Sequence, residues 1–231
     1  CTIKRRADGW YALFSVIVAD PKPSAINNPV GIDVGIKTFA ALSTGEKIGN
    51  PEFLRAAERD LKIAQRKVSR RKKGSHRRRK AVQHLKLEHQ RVERSRKNFH
   101  FTQAFRLAKR FNPIFVENLN IKNMVKNHHL AKSISDASWG QFLGILSHSA
   151  ESAGAAVIAV EARGTSQECS GCGVVVQKSL EERVHRCWNC GLVLDRDVNA
   201  ARNILARGLG RPVGEDAGSN RRSMIREAAA L

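Results

Sequence analysis

Four cysteines near the carboxyl end restrict the possible folds more than any other feature of the sequence. Cys169 and Cys172 form one pair, Cys187 and Cys190 form a second, and fourteen residues separate the two pairs. A glycine follows each pair and lets the backbone turn so that its amides point at sulfur. Four thiolates complete a tetrahedron around Zn²⁺ and leave no position for water. The spacing therefore predicts a structural zinc ribbon over residues 166–193 and a reducing compartment.

The positive charge of the chain narrows the class of partner. Its 231 residues include 41 Lys and Arg against 21 Asp and Glu, a formal net charge of +20. Such a charge favours a polyanion, and nucleic acid is the commonest polyanionic partner. Hydrophobic residues make up 42% of the sequence, which excludes global disorder. Charge alone does not separate passive binding from catalysis.

The sequence contains no apolar run of the roughly 18 residues that a membrane helix needs, so we expect no membrane partner. The chain begins with basic residues followed by an apolar run, an order that resembles a signal peptide. We reject that interpretation because Asp8-Gly9 is a hairpin turn and the run after it is rich in strand-forming residues. We expect a cytoplasmic protein and, because the chain starts at Cys1 rather than Met, a fragment of a longer one.

Short hydrophobic runs alternate with helical patterns and predict an α/β fold. After an amino-terminal β-hairpin over residues 2–19, three strands are followed by helix, strand, helix, strand, the cysteine module and a last helix. This order predicts a mixed, largely parallel sheet with helices on both faces, the layout of a ribonuclease-H-like fold. A polar loop with His128 and His129 is expected before a helix capped by Ser135 or Asp136. The strands are expected at residues 30–34, 37–43, 46–49, 113–119 and 155–162.

The helical spacing of apolar residues over 52–110 predicts a basic helical hairpin bent at residues 73–76, with arms each roughly 30 Å long. From Arg59 to Lys80 there are twelve Lys and Arg and one acid. The stretch could be a solvated face, but like charges one turn apart repel each other, and phosphate groups relieve the repulsion. About eight phosphate contacts would give a log–log slope of affinity against salt near −7. The residues expected to bind nucleic acid are Arg66, Lys67, Arg70, Arg71, Lys72, Lys73, Arg77, Arg78, Arg79 and Lys80.

Three carboxylates stand out against this basic background. Asp33 interrupts a buried apolar strand, Glu117 ends the next strand of the parallel part of the sheet, and Asp197 opens the last helix. Carboxyl ends of neighbouring parallel strands meet at one edge of an open sheet, so the three can converge there. Oxygen ligands without nearby Cys or His favour Mg²⁺ or Mn²⁺. Two such ions about 4 Å apart would activate water and stabilise the leaving oxygen in phosphodiester hydrolysis.

Each carboxylate also has a simpler interpretation. Asp33 could be a turn residue before Gly35, and Glu117 could be a surface charge at a strand end. Asp195 and Asp197 could both be helix N-caps, and one of them is expected to be.

Within the ribbon, four side chains are candidates for contacts to a nucleic-acid strand. Trp188 could stack a base, or it could pack over the metal knuckle instead. The four are Arg183, His185, Arg186 and Trp188.

Four sequence stretches carry a resemblance to a known family. They are GIDVG, IFVENL, TSQECSGCG with CWNCG, and DRDVNAARNI, and they span about residues 30 to 206. The chain resembles the TnpB (OrfB) proteins of bacterial insertion sequences, relatives of the type V CRISPR nucleases. These proteins have a RuvC-type nuclease domain interrupted by a zinc ribbon. The ribbon followed at once by D-x-D-x-N-A-A is the most specific part of the resemblance.

The resemblance implies RNA-guided, Mg²⁺-dependent cleavage of DNA in the nucleoid of a prokaryote, with DNA and a guide RNA as partners. It assigns Asp33, Glu117 and Asp197 as catalytic ligands of Mg²⁺, or of Mn²⁺ in its place, and Asp195 as a capping or outer residue. Zinc is structural. In such systems base pairing carries the sequence, and protein contacts are largely to the backbone.

The resemblance also implies a division of the chain. Family members usually carry an amino-terminal wedge and recognition region, and only its closing hairpin is expected here. The implied parts are a remnant hairpin and linker (1–29), a RuvC-like core (30–165) that contains the hairpin 52–110, the zinc ribbon (166–193), the final core helix (194–207) and a flexible tail (208–231).

Two other functions remain open. The same metal chemistry would permit a transposase that performs strand transfer. A nuclease-inactive, RNA-guided DNA-binding protein is the second alternative, although such a protein has no need to retain Asp33, Glu117 and Asp197.

Overall fold

A computed structural model describes residues 1–161, 163–179, 181–211 and 213. Residues 214–231, most of the tail predicted over 208–231, lie outside the described residues. The strands are β1 (Thr2–Arg5), β2 (Trp10–Leu13), β3 (Val30–Val34), β4 (Thr38–Leu42), β5 (Lys47–Gly49), β6 (Ile114–Glu117), β7 (Val157–Val160), β8 (Val184–Arg186) and β9 (Val193–Asp195). The helices are α1 (Phe53–Ser69), α2 (His76–Ala108), α3 (Ile121–Met124), α4 (His128–Ala137), α5 (Trp139–Ser152) and α6 (Arg196–Gly208).

The central sheet is mixed, with strand order β5-β4-β3-β6-β7. Strands β3, β4 and β5 form an antiparallel meander, whereas β3, β6 and β7 run parallel. The connections from β5 to β6 and from β6 to β7 are helical, and the second is the crossover that two parallel neighbours require. The predicted α/β fold with a mixed sheet is therefore confirmed.

Helices cover both faces of this sheet. Successive side chains of a strand point to opposite faces, and Val30 and Ile32 of β3 join an apolar core with Leu107 of α2 and with Phe142 and Leu146 of α5. Each of these side chains is almost fully buried, which stabilises the fold by about 2 kcal/mol per residue. The opposite face of β3 is covered by α6.

Helix α6 lies against the sheet at unusually short range because two glycines leave room for it. A Cβ atom added to Gly31 of β3 would stand 2.1 Å from the carbonyl oxygen of Ala201 in α6. A Cβ atom added to Gly208, at the end of α6, would stand 2.1 Å from the ring of Phe115 in β6. The middle of α6 and its carboxyl end are thereby brought directly onto the strands that carry Asp33 and Glu117.

The helical hairpin exists, but its arms are unequal. Helix α1 has 17 residues and α2 has 33, or about 26 Å and 50 Å at 1.5 Å per residue. The prediction of two arms near 30 Å was therefore wrong for the second arm. No glycine or proline interrupts the sequence between Gly74 and Pro113, so α2 runs almost to residue 110, the predicted end of the hairpin, and packs against α5.

Asp136 caps a helix other than the one predicted. It lies in α4, and its carboxylate accepts hydrogen bonds from the backbone N–H of Leu54 at 3.0 Å and of Arg55 at 3.4 Å, in the first turn of α1. Arg96 of α2 pairs with the same carboxylate at 3.0 Å. Asp136 thus joins three helices, and α5 begins after Ser138 in a left-handed conformation.

The amino-terminal hairpin is shorter than predicted. Its strands end at Leu13, and the following residues to Val18 are exposed and have no regular structure. The predicted turn at Asp8-Gly9 docks on α2, where Asp8 accepts a hydrogen bond from Gln90 at 2.7 Å and pairs with Arg94 at 2.7 Å. The hairpin is thus anchored through its turn.

Two further expectations differ from the structure. The predicted polar loop with His128 and His129 contains α3 and the start of α4. The side chains of Asn120 and Asn127 cap the amino termini of these two helices. Strand β7 lies at the sheet edge and is partly exposed rather than buried. Within the described residues, no helix combines the length and apolar character that crossing a bilayer requires.

Candidate active site

The four cysteine sulfurs lie together as a Zn²⁺ ion requires. The Sγ atoms of Cys169 and Cys190 are 3.6 Å apart, those of Cys172 and Cys187 are 3.5 Å apart, and all four lie within 4.8 Å of one another. Sulfurs about 2.3 Å from a tetrahedral ion stand about 3.8 Å from each other. The donor set therefore fits a structural zinc ion.

The ribbon leads directly into α6. Strands β8 and β9 pair so that Val184 faces Asp195, and the Arg196 N–H donates to the carbonyl of Arg183 at 2.8 Å. His185 is fully buried, so the suggestion that it contacts nucleic acid was wrong. Trp188 is 76% exposed, so its ring does not pack over the metal knuckle and is accessible for stacking.

Asp33 and Glu117 lie on adjacent parallel strands and face the same side of the sheet. Ile32 of β3 is in register with Val116 of β6, so Asp33 and Glu117 come one residue later on each strand. Residues two apart share a face, and Gly31 and Phe115 both contact α6. The two carboxylates therefore stand at the carboxyl ends of their strands, on the α6 side.

Helix α6 brings Asp197 to this same side. Asp195 is the N-cap of α6, and its carboxylate accepts hydrogen bonds from the N–H groups of Asp197 at 3.0 Å and Val198 at 3.2 Å. Lys47 of β5 pairs with the same carboxylate. Asp197 lies in the first turn, and one of its oxygens is 4.0 Å from the Arg183 guanidinium. Of the two acids expected to cap this helix, Asp195 is the cap, and the Asp197 carboxylate remains available for another role.

Burial and mutual repulsion make this group of acids reluctant to ionise. Burial raises the pKa of Asp33 well above its ordinary value, and repulsion from Glu117 and Asp197 raises it further. Burial also raises the pKa of Glu117, against a hydrogen bond from Thr165. Burial and the Asp195 charge raise the pKa of Asp197. Although burial opposes it, the Lys47 hydrogen bond lowers the pKa of Asp195.

Such a group is suited to hold a divalent cation, because a cation relieves the repulsion between carboxylates. Its donor atoms are hard oxygens, which fit Mg²⁺ or Mn²⁺ rather than Zn²⁺. In the part of the chain that the structure describes, only the cysteines bring three or more potential ligands within 4.8 Å of one another. The carboxylates of Asp33, Glu117 and Asp197 do not form such a group.

Several residues of the site escaped prediction from the sequence. Lys47 neutralises Asp195, and Thr165 Oγ1 donates to Glu117 Oε1 at 2.5 Å. Asn199 and Asn203 are fully buried in α6. One signal could have revealed the asparagines: they lie one helical turn apart in NAARN, so two polar side chains share one side of the helix.

The predicted nucleic-acid residues line the tip of the helical hairpin. Nine of the ten are exposed. The exception is Arg78, which is half-buried and donates to the carbonyl oxygens of Val68 at 2.7 Å and Arg71 at 3.3 Å. Arg78 therefore closes the turn between α1 and α2, while its neighbours form an exposed cationic surface.

Two family models match consecutive parts of the chain. Residues 14–128 match OrfB_IS605, described as "Probable transposase", and residues 139–204 match the Cas12f1-like TNB domain. The chain belongs to the TnpB (OrfB) family. The resemblance that the sequence motifs carry is therefore confirmed.

Curated proteins extend the relationship across TnpB-like sequences. A "putative RNA-guided DNA endonuclease" of Streptomyces pristinaespiralis is 40% identical over 212 residues, 90% of this chain and 52% of that protein. InsQ of Escherichia coli (strain K12), named in the same way, is 28% identical over 226 residues, 90% of this chain and 56% of that protein. This TnpB chain thus spans about half the length of these relatives.

Two solved structures share the fold. The Cas12f1–sgRNA–target DNA complex matches with a TM-score of 0.56 and 19% identity, covering 88% of this chain and 55% of that one. The CRISPR–Cas12f ternary complex matches with a TM-score of 0.61 and 21% identity, covering 82% of this chain and 40% of that one. The predicted RuvC-like fold of this TnpB chain is therefore confirmed.

Proposed function

We propose that the chain is the nuclease part of an RNA-guided DNA endonuclease of a bacterial insertion sequence. The single observation that carries the proposal is the convergence of Asp33, Glu117 and Asp197 on the α6 side of the sheet, with raised pKa values. A buried group of mutually repelling acids destabilises a fold unless a cation compensates it. We therefore assign these three residues as ligands of catalytic Mg²⁺ or Mn²⁺.

The residues of the site have different roles in the proposed phosphodiester hydrolysis. Bound divalent ions supply activation of the attacking water and neutralisation of the leaving oxygen. Asp33 and Glu117 fix the ligand positions from adjacent strands, and Asp197 approaches them from α6. The Asp195 carboxylate caps α6 and pairs with Lys47. We therefore assign it a role in fixing the start of the helix and not in binding the reacting groups.

In this proposal, exposed residues outside the carboxylate site bind the nucleic acid. The exposed tip of the α1–α2 hairpin offers arginines and lysines to phosphates, and exposed Trp188 offers a ring on which a base can stack. DNA and a guide RNA are the proposed partners, because the related proteins are named as RNA-guided endonucleases.

A cleavage assay with a preassembled substrate tests the proposal. An RNA strand is annealed to one strand of a DNA duplex so that the other DNA strand is displaced, which removes any need for guide selection. We expect the chain to cut this substrate with Mg²⁺ and not with EDTA. Glu117→Gln should slow cleavage by at least about 100-fold, because even outer partners of metal ligands cost 10- to 100-fold.

Glu151→Gln is the matched control, since Glu151 is an exposed glutamate on α5. Equal cutting by wild type and Glu117→Gln would exclude catalysis at this site. The same gel separates the transposase alternative, which the description "Probable transposase" favours, because strand transfer gives joined products longer than the substrate.

The hairpin tip carries a separate prediction about binding. Lys72→Gln with Lys73→Gln should weaken duplex DNA binding and reduce the log–log salt slope by about 2, since each lost phosphate contact removes about 0.9. Binding is measured by fluorescence anisotropy between 50 and 300 mM salt.

The charge-matched control is Lys122→Gln with Lys126→Gln, two exposed lysines in and just after α3. It removes the same net charge from another surface. A salt slope that falls equally in both double variants would show that net charge, and not the hairpin tip, governs binding.

A further inference from the structure

Thr165 makes a contact that links the loop after β7 to the carboxylate group. Its side-chain oxygen donates to Glu117 Oε1 at 2.5 Å, and the residue is only 4% exposed. The preceding Gly164 has a φ of +84°, a left-handed conformation that glycine adopts without strain. The tight turn that Gly164 permits, closed by a 2.9 Å bond from the Gln167 N–H to the Gly164 carbonyl, places Thr165 against Glu117.

Two buried asparagines of α6 form hydrogen bonds to the segment that begins at Thr165. The Asn203 side chain donates to the carbonyl oxygens of Thr165 at 2.7 Å and Glu168 at 2.8 Å. Asn199 donates to the Glu168 carbonyl at 2.7 Å and accepts from the Ser170 N–H at 2.9 Å. Both asparagines are fully buried, where hydrogen bonds are costly to lose.

Arg207 fixes the same segment from the last turn of α6. Its guanidinium pairs with the Glu168 carboxylate at 2.8 Å and donates to the Glu161 carbonyl at 2.8 Å. Residues 165–170, which we call the clamped segment, are therefore held at several points by the helix that carries Asp197. The first zinc ligand, Cys169, lies inside this segment.

We propose that Thr165 is a positioning residue that orients Glu117 for cation binding, and that α6 joins this contact to the zinc ribbon through Asn199 and Asn203. The inference rests on the proposed function, since it needs Glu117 to be a metal ligand. A carboxylate free to rotate loses cation affinity, and partners that orient metal ligands are worth 10- to 100-fold in affinity or activity.

The test compares Mn²⁺ binding by zinc-loaded wild type, Thr165→Val, Thr165→Ala and Thr165→Ser, followed by electron paramagnetic resonance. Valine keeps the size of threonine without the hydroxyl, alanine excludes a clash, and serine restores the donor. We expect valine and alanine to weaken Mn²⁺ binding about 10-fold or more and serine to bind close to wild type. The Mg²⁺ concentration that gives half-maximal cleavage should rise in parallel.

Ile204→Val is the matched control, because it removes one buried methylene from α6 outside the clamp contacts. It should leave Mn²⁺ binding unchanged, which separates positioning from a general loss of stability. Wild-type binding retained by Thr165→Val and Thr165→Ala would overturn this inference alone. A wild-type protein that neither binds Mn²⁺ nor cuts would overturn the proposed function and this inference with it.

Discussion

Replacing Asp33 with Asn is expected to abolish cleavage and, at the same time, to make the metal-free protein more stable. The Asp33 carboxylate is buried and repelled by Glu117 and Asp197, which raises its pKa well above the ordinary value of 3.8. Asparagine has nearly the same shape without the charge. Since one pKa unit corresponds to about 1.4 kcal/mol, we expect the free energy of unfolding at pH 7 to rise by about 1 kcal/mol or more.

The direction of the pH dependence follows from the same shift. The folded protein holds the Asp33 proton to a higher pH than the unfolded chain does, so stability falls as the pH rises from 3.8 to the raised pKa. Asp33→Asn should show a smaller fall, because only the raised pKa values of Glu117 and Asp197 remain to cause it, and added Mg²⁺ should stabilise wild type more than the variant. Urea unfolding in EDTA and in Mg²⁺, from pH 4 to pH 8, measures both effects.

Asp60→Asn, at an exposed position on α1, is the control for loss of one negative charge. It should change neither cleavage nor the pH dependence. A metal-free Asp33→Asn protein that is less stable than wild type would contradict the view that a cation is needed to offset repulsion among these acids.

Removing the zinc ligands is expected to have the second large effect. Cys169→Ser with Cys172→Ser should reduce the zinc content from about one ion per chain to none and unfold the ribbon, because binding energies of about 10 kcal/mol are typical of small zinc modules. Since Cys169 lies in the clamped segment, Mn²⁺ binding at the carboxylates should weaken as well. Metal analysis and hydrogen exchange of residues 165–195 measure these changes.

Cys1→Ser provides the matched control, as Cys1 is exposed and lies outside the cluster. It should retain zinc and normal exchange protection. A zinc-free double variant with unchanged protection of the ribbon would show that the cysteines are dispensable for its structure.

Local sequence signals predicted much of the fold and of the candidate site. Cysteine spacing gave the ribbon because the ligands of a tetrahedral ion come in tight pairs. The strand that contains Asp33 was predicted at residues 30–34 because a charge within an apolar run is conspicuous, and β3 has those bounds. The order of strands and helices then predicted which edge of the sheet would gather the carboxylates.

Contacts between segments far apart in the sequence could not be predicted in this way. Asp136 caps a helix more than 80 residues before it, whereas the sequence offered only the helix that follows. Thr165 reaches Glu117 across 48 residues, and Lys47 reaches Asp195 across 148. Threonine and lysine are common on surfaces, so nothing in their neighbourhood distinguishes these two. The error in the length of α2 was of another kind, because the predicted segment after the bend, residues 77–110, already corresponds to about 51 Å at 1.5 Å per residue.

The contact between Gly31 and Ala201 has a consequence for redesign of the protein. Backbone meets backbone there, so no side chain can rotate to absorb a misfit between β3 and α6. A β3 segment transplanted from another nuclease without its own last helix would shift Asp197 away from Asp33. The two segments, about 170 residues apart, have to be exchanged as a single unit.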